Sequence, residues 1–128
     1  MPLNVSSRVE DNFAVLDLAG ALTLGPSLSS LRETARRTLN ESKLSGMILR
    51  VGEVTTTDSA GLGELTVVYT FASKRGCPIM LVEVSSTMRK MLEVTHLDAL
   101  LPSAADVHSA KKQLKERRFD TLDSEPRA

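Results

Sequence analysis

The sequence predicts one α/β domain with a mixed, mostly parallel β-sheet, an N-terminal β-hairpin and about four helices. The chain has 128 residues, of which 41% are hydrophobic and 25% charged, as expected for a single globular domain. After the hairpin, short apolar segments alternate with helical segments, which indicates β-α-β units. We expect the domain to span residues 1–117. Residues 118–128 are expected to form a flexible tail, because the basic stretch over residues 111–118 gives way there to residues that are acidic on balance.

The composition argues against several functions. The 16 Lys and Arg residues balance 16 Asp and Glu residues and only 3% of residues are aromatic, so direct nucleic-acid binding is not expected. No apolar run approaches the roughly 20 residues of a membrane-spanning helix, and the N-terminal residues lack the apolar core of a signal peptide. The single cysteine, Cys77, cannot form an internal disulfide, and no Cys/His pair has zinc-ligand spacing. We therefore expect a cytoplasmic protein without membrane insertion and without a metal site.

The first part of the chain predicts a hairpin followed by a helix. Residues 3–9 and 13–19 are consistent with strands, and the Asp11-Asn12 pair between them is a turn signal. Residues 20–25 begin and end with glycine and predict a loop, after which Pro26 is typical of a first helical turn. An apolar stripe at helical spacing then follows, made by Leu28, Leu31, Ala35 and Leu39.

The middle of the chain predicts two buried strands around a second helix. Residues 47–51 form a short apolar strand, and the β-branched Thr55-Thr56-Thr57 run stays extended or forms a loop before Asp58. A helix is predicted over residues 60–75, with Gly76 at its C-terminal end. Residues 78–84 are nearly all apolar and predict the next strand.

The last part predicts two further helices. Ser85-Ser86 is expected to cap a third helix, in which Met88, Met91 and Leu92 lie at helical spacing. Residues 103–106 resemble a capping box and predict a last helix through Val107, Ala110 and Leu114. The pattern also allows a short strand near Leu100.

The segment from Thr57 to Leu65 carries the functional information. It joins a strand to a helix whose first backbone N–H groups have no partner inside the helix and favour an anion. As an N-cap, Ser59 would accept a hydrogen bond from one of these groups. As a phosphoacceptor, it would place about 1.5 to 2 negative charges at the helix end that favours them. The residues alone leave both uses open.

Gly61 and Gly63 lie in the same helical region. Each costs about 1 kcal/mol relative to Ala inside a helix, so two of them are a poor choice for stability alone. One explanation is a flat surface that another protein's backbone or a nucleotide can approach closely. The other explanation is a tight strand-to-helix turn with close packing of the helix on the sheet.

The stretch Asp58-Ser59-Ala60-Gly61-Leu62-Gly63 resembles a family signature. The signature is Asp-Ser-[Ser/Thr/Ala]-Gly-Leu-Gly of the STAS domain family, specifically of its anti-sigma factor antagonists (anti-anti-sigma factors). The resemblance covers about residues 3–115. It includes residues 18–20, the strand at 47–51 and the apolar residues 79–82 and 88–92.

The resemblance implies a bacterial partner-switching regulator of transcription and not an enzyme. In the family, the antagonist binds an anti-sigma factor that is also a serine kinase with a histidine-kinase-like ATPase fold. The unphosphorylated antagonist sequesters this partner, and the sigma factor is released. Phosphorylation of the serine that corresponds to Ser59 ends the binding, and a serine phosphatase restores it. The protein itself then needs no cofactor, because the partner kinase holds the ATP, and a homodimer is left open.

The resemblance also indicates where the partner binds. We expect the surface to combine the start of the second helix with the loop after Gly20 and the helix over residues 86–95. Arg50 stands where the family commonly has Asp or Asn, and it either pairs with a phosphate on Ser59 or points into solvent without consequence. The predicted partner-binding residues are Asp58, Ser59, Ala60, Gly61, Leu62, Gly63, Thr23 and Arg50.

Three alternative functions are open, two of them in other classes of protein and one within the same fold. Ser59 half-matches a nucleophile elbow, for which His96 and His108 are the only candidate bases. Asp58 after a strand is also compatible with a phospho-receiver domain, although residues 20–23 lack the acidic pair that binds magnesium there. Within the same fold, the chain could be an accessory STAS subunit of a lipid-transport or stress-sensing complex, which is our second hypothesis.

Overall fold

The computed structural model describes the backbone of residues 1–124 and the side chains of residues 1–116. A five-stranded sheet has the order β1-β2-β3-β4-β5, in which β1 is antiparallel to β2 and the other neighbours are parallel. This arrangement with its four α-helices confirms the predicted fold class. The elements are β1 (Asn4–Glu10), β2 (Phe13–Leu22), α1 (Ser29–Glu41), β3 (Gly46–Thr57), α2 (Ser59–Lys74), β4 (Ile79–Val82), α3 (Ser86–Val94), a 3₁₀ turn (Leu97–Ala99), β5 (Ser103–Ala104) and α4 (Val107–Ser124).

The N-terminal hairpin has the two-residue turn that the sequence predicts. Asp11 and Asn12 both have positive φ, at 55° and 67°, and they connect the paired residues Glu10 and Phe13. Asp and Asn tolerate this left-handed region better than other non-glycine residues, and two such residues match the twist of the flanking strands.

Apolar residues on the two faces of the sheet build two cores. Alternate residues of the central strands point to opposite faces, so Leu49 joins one core and Ile48 the other. The larger core contains residues of α1, α2 and α3, including Leu31, Leu65 and Leu92. The smaller core lies under α4 and consists of Phe13, Val15, Ile48, Met80, Val82, Ala110 and Leu114.

Strand β3 is longer than the short strand predicted for residues 47–51. It runs to Thr57, because its last part pairs with β2 as far as the Leu22–Thr57 pair. The threonine run is therefore extended strand and not a loop. Strand β4 ends at Val82, opposite Arg50, so β2 and β3 continue beyond it and carry the start of α2 at their carboxyl ends.

Three other predicted boundaries move. Helix α1 begins at Ser29, because residues 26–28 form a turn before it. The predicted strand 78–84 shortens to Ile79–Val82, because Glu83 has a positive φ of 61° that ends the extended chain. Ser103 belongs to β5 and does not cap the last helix. That cap is Asp106, whose carboxylate accepts a hydrogen bond from the backbone N–H of Ser109 at 2.8 Å.

Helix α4 extends to Ser124, beyond the predicted domain end at residue 117. The flexibility of the predicted tail stays a prediction, and residues 125–128 lie outside the described part of the chain. In residues 1–124, no helix combines the length and the apolar character needed to cross a membrane.

Candidate functional site

Asp58 joins the loop after β2 to the start of α2. Its Oδ1 accepts a hydrogen bond from the backbone N–H of Gly61 at 2.9 Å, and its Oδ2 accepts one from that of Leu24 at 3.0 Å. These donors, Leu24 first, hold the pKa of the Asp58 carboxyl below its usual value. The carboxylate is therefore ionised at neutral pH and holds two segments together.

Ser59 is the first residue of α2, and it is exposed. The alternative in which Ser59 caps this helix is wrong, because Asp58 is the N-cap. Asp58 has the extended backbone that an N-cap needs, with φ −121° and ψ −176°, and its side chain bonds to the residue three positions on. Within residues 1–116, the Ser59 hydroxyl forms no hydrogen bond, which leaves it accessible to another molecule.

Gly61 and Gly63 have different surroundings. A Cβ on buried Gly61 would lie 1.9 Å from the carbonyl oxygen of Leu22, so only glycine lets α2 pack this closely on the end of β2. Gly63 is exposed, and a Cβ there would meet nothing within 4 Å. Close packing therefore explains Gly61 but not Gly63, for which the flat-surface explanation remains.

Neighbouring residues of the motif turn inward and stabilise the fold. Leu62 lies in the larger core at 4% exposure, and Ala60 is half-buried against that core. Glu64 is also buried, and the guanidinium of Arg32 donates to its carboxylate through Nε at 2.9 Å. This ion pair ties α1 to α2, so Glu64 adds no free negative charge to the exposed surface.

A groove of about 400 Å³ lies between α2 and α3, beside Ser59. We call it the α2–α3 groove. Val94 on its edge is 72% exposed, and Lys90 forms no salt bridge within the described side chains. The predicted involvement of the third helix therefore has a geometric basis. The groove is lined by Ser59, Leu62, Thr87, Lys90, Met91, Val94 and Thr95.

The loop after β2 lies next to the same helix end. Thr23 is half-buried, and Leu24 is 80% exposed while its backbone N–H is held by Asp58. The structure thus brings Thr23 and the signature together, as predicted. The sequence analysis missed Leu24 and Val94, although an apolar residue outside a buried stripe is a signal of this kind of surface.

Arg50 does not join this surface. Its side chain shares the sheet face of Ile48, whereas α2 packs on the opposite face. There Nη1 donates to Asp17 at 2.8 Å and Nε donates to Glu83 at 2.9 Å. Both predicted roles of Arg50 are therefore corrected, because the guanidinium neither reaches Ser59 nor points into solvent without partners.

The alternative chemistries find little support in the geometry. His96 lies in the turn after α3 with a positive φ of 61°, and His108 lies in α4 on the far face of the sheet; neither is hydrogen-bonded to Ser59. Both oxygens of Asp58 are occupied by backbone donors, which disfavours a receiver-type phosphoacceptor. In the described part of the chain, no group of three or more His, Cys, Asp or Glu residues could hold a metal ion.

Residues 4–110 match the model of the STAS domain family, and the chain therefore belongs to that family. A putative anti-sigma factor antagonist from Thermotoga maritima is similar in structure, with a TM-score of 0.71 and 17% identity over 87% of this chain and 94% of that chain. The Bacillus cell fate determinant SpoIIAA in its phosphorylated form has a TM-score of 0.65 and 17% identity over 86% and 97%. A chain from a structure of the stressosome, a signal integration and transduction hub, has a TM-score of 0.66 and 16% identity over 88% of this chain and 98% of that chain. At these identities the likeness establishes the shared fold.

The different surroundings of the two glycines give a paired prediction. Gly61→Ala should lower the free energy of unfolding by about 1–3 kcal/mol, because the new Cβ overlaps the Leu22 carbonyl and α2 must move. Gly63→Ala should raise it by up to about 1 kcal/mol, because alanine fits the exposed helix position. Urea unfolding of both variants is the measurement. Equal effects of the two substitutions would contradict the different roles assigned to the glycines.

Asp58 gives a pH-dependent prediction. Because the folded-state pKa of Asp58 is lowered, its contribution to stability is present above the unfolded value and is lost as pH falls through the folded value. Asp58→Asn keeps a good N-cap but places an NH₂ group toward the Leu24 N–H. The difference in melting temperature between wild type and Asp58→Asn should therefore shrink between pH 7 and pH 3.

Amide exchange at Leu24 tests the loop contact separately, with Asp106→Asn as the matched control, because Asp106 caps α4 through Ser109 and bonds to no loop within residues 1–116. At pH 7, amide exchange at Leu24 should accelerate in Asp58→Asn and stay unchanged in Asp106→Asn. An unchanged Leu24 amide in both variants would show that the Asp58 carboxylate does not hold the loop.

Proposed function

We propose that this protein is an anti-sigma factor antagonist whose binding surface is switched by phosphorylation of Ser59. The observation that carries the proposal is the exposed hydroxyl of Ser59, the first residue of α2, on the wall of the α2–α3 groove. This hydroxyl forms no hydrogen bond within the described side chains. Membership of the STAS family and a fold shared with anti-sigma factor antagonists support it. The proposed surface comprises the Leu24 loop, the α2 start and α3.

The composition of this surface suits the binding of another protein. Leu24 and Val94 belong to it, and they are two of the few large hydrophobic side chains in residues 1–116 that are strongly exposed. Burying such a side chain under a partner contributes roughly 1.5–3 kcal/mol to the free energy of binding. Leu24, Val94 and the groove together therefore supply a useful driving force for binding. Exposed Gly63 adds a patch without a side chain, where a partner backbone can approach closely.

Phosphorylation of Ser59 would oppose this binding without unfolding the chain. The phosphate adds about 1.5 to 2 negative charges at a helix N-terminus, where unpaired N–H groups and the helix dipole tolerate them. Inside a packed interface, the same charges would have to lose their water. Asp58 lies beside them and is already ionised. Desolvation and repulsion therefore favour release of the partner.

The partner that fits this cycle is an anti-sigma factor that is also a serine kinase with a histidine-kinase-like ATPase fold. It supplies the ATP, so the antagonist needs no cofactor, and a serine phosphatase resets Ser59. This cycle operates in the cytoplasm, where the sigma factor acts. An accessory role in a lipid-transport or stress-sensing complex is the second candidate, supported by the shared fold with the stressosome chain.

Substitutions at residue 59 test the switch. Ser59→Ala should bind the partner constitutively, and Ser59→Asp should bind it several-fold more weakly because of its negative charge. The measurement is a pull-down from the native host with mass spectrometry, followed by titration of the identified ATPase. Ser73→Asp is the matched control, because Ser73 is exposed at the opposite end of α2 and should not affect binding.

Loss of binding by a folded Ser59→Ala would contradict the antagonist role. Capture of a transport or stress-sensing component that is indifferent to residue 59 would favour the accessory role.

Gly63 gives a second test of the same surface. Gly63→Gln introduces a side chain into open space, so the isolated protein should be as stable as wild type or more stable. The side chain would block close approach of the partner, and we expect at least a tenfold loss of affinity. Calorimetric titration measures this loss, and unchanged affinity would remove Gly63 from the interface.

A further inference from the structure

Arg50 links three neighbouring strands at the level where β4 ends. It lies on β3, its Nη1 donates to Asp17 of β2 at 2.8 Å, and its Nε donates to Glu83, directly after β4, at 2.9 Å. A planar guanidinium presents its N–H donors at fixed angles, so it holds two carboxylates in a more defined geometry than an ammonium group does. Arg50 therefore joins β2, β3 and the end of β4.

Each of these strands leads into one segment of the proposed binding surface. Strand β2 continues into the loop that contains Leu24, and β3 continues into Asp58 and Ser59. Glu83 continues into Ser85, whose hydroxyl oxygen caps α3 by accepting the backbone N–H of Met88 at 3.1 Å. Asp17 and Arg50 lie in the middle of β2 and β3, whereas Glu83 lies directly before the segment that leads into α3.

The backbone around Glu83 is adapted to hold its side chain over β3. Glu83 has a φ of 61°, which is unfavourable for a residue with a long side chain. A Cβ on Gly52 would lie 2.3 Å from a carboxylate oxygen of Glu83, so a larger residue there would push the Glu83 side chain out of its present position. The register of β3 against β2 also shifts here, since Asp17 pairs with Arg50 but Ala19 pairs with Glu53. A strained turn, a glycine and a bulge thus meet at one ion pair.

We propose that Arg50 is a positioning residue, which holds the β4–α3 turn through Glu83 and so sets the position of α3 relative to the Ser59 end of α2. Met91 and Val94 of α3 line the α2–α3 groove opposite Ser59 and Leu62. The position of the turn therefore sets the shape of the groove. The consequence for partner binding rests on the function proposed above, whereas the effect on α3 does not.

Hydrogen exchange of Arg50→Gln tests the positioning role without any partner. Amides of residues 84–94 should exchange about two- to five-fold faster than in wild type, as expected for loss of partly exposed ion pairs. Arg8→Gln is the matched control. Arg8 also bonds to two carboxylates, Asp17 and Glu10, and its side chain is similarly exposed, at 42% against 38% for Arg50. It lies on β1, which leads into no part of the surface, so its loss should leave residues 84–94 unchanged.

Two further variants separate the ion pair from general stability. Glu83→Gly removes the carboxylate and also relieves the positive φ, so the protein should stay folded with a melting temperature near that of wild type. Exchange over residues 84–94 should nevertheless accelerate. Arg50→Lys keeps the charge but not the two-pronged geometry, and its exchange should fall between those of wild type and Arg50→Gln.

Unchanged exchange in Arg50→Gln, or an equal effect of Arg8→Gln, would overturn the positioning role. If that role holds, Arg50→Gln should also lower the affinity for the partner by about two- to five-fold, the same factor by which hydrogen exchange accelerates. Unchanged affinity beside faster exchange would overturn the link to the groove. If neither wild type nor Ser59→Ala captures an ATPase, the proposed function fails, and the exchange result still decides the role of Arg50.

Discussion

The candidate site depends on the carboxylate of Asp58, which binds the backbone N–H groups of Gly61 and Leu24 at the same time. One contact begins α2, and the other holds the loop that leaves β2. An ionised carboxylate makes stronger hydrogen bonds than a neutral acceptor, so a single side chain can hold both segments. Gly61 completes the arrangement, because its missing Cβ lets the helix reach the carbonyl oxygen of Leu22. The exposed position of Ser59 follows from this geometry.

The signature divides into residues that build the junction and residues that face outward. Asp58, Gly61 and Leu62 cap, pack and anchor the helix, while Ser59 and Gly63 remain exposed at positions that a helical repeat turns away from the sheet. A short motif can therefore specify a fold and a surface together. Exposed glycine inside a helix lowers stability without improving packing, so the packing of the isolated chain does not explain Gly63.

The two faces of the sheet serve different purposes. The face that carries α1, α2 and α3 presents exposed Leu24 and Val94 and the α2–α3 groove beside Ser59. On the other face, α4 covers the apolar residues, and beyond it the carboxylates of Asp17 and Glu83 meet Arg50. Such partly exposed ion pairs contribute little to overall stability, but their geometry can fix where neighbouring segments turn. In the proposed arrangement, the ion pairs of Arg50 on this face set the position of α3, and so the shape of the α2–α3 groove, on the opposite face.

The sequence by itself determined the fold class, the order of most elements and the segment that carries the candidate site. Apolar periodicity, turn pairs and the signature are local patterns, and local patterns specify local structure. Tertiary structure decided which residue caps α2, where β3 ends, and that Arg50 meets Asp17 and Glu83 on the face away from Ser59. It also decided that α3 lines a groove with α2. Apart from the cap, which is a local contact between Asp58 and Gly61, these features arise between residues far apart in the chain. Strand register and helix packing set the neighbours there, and no short pattern records them.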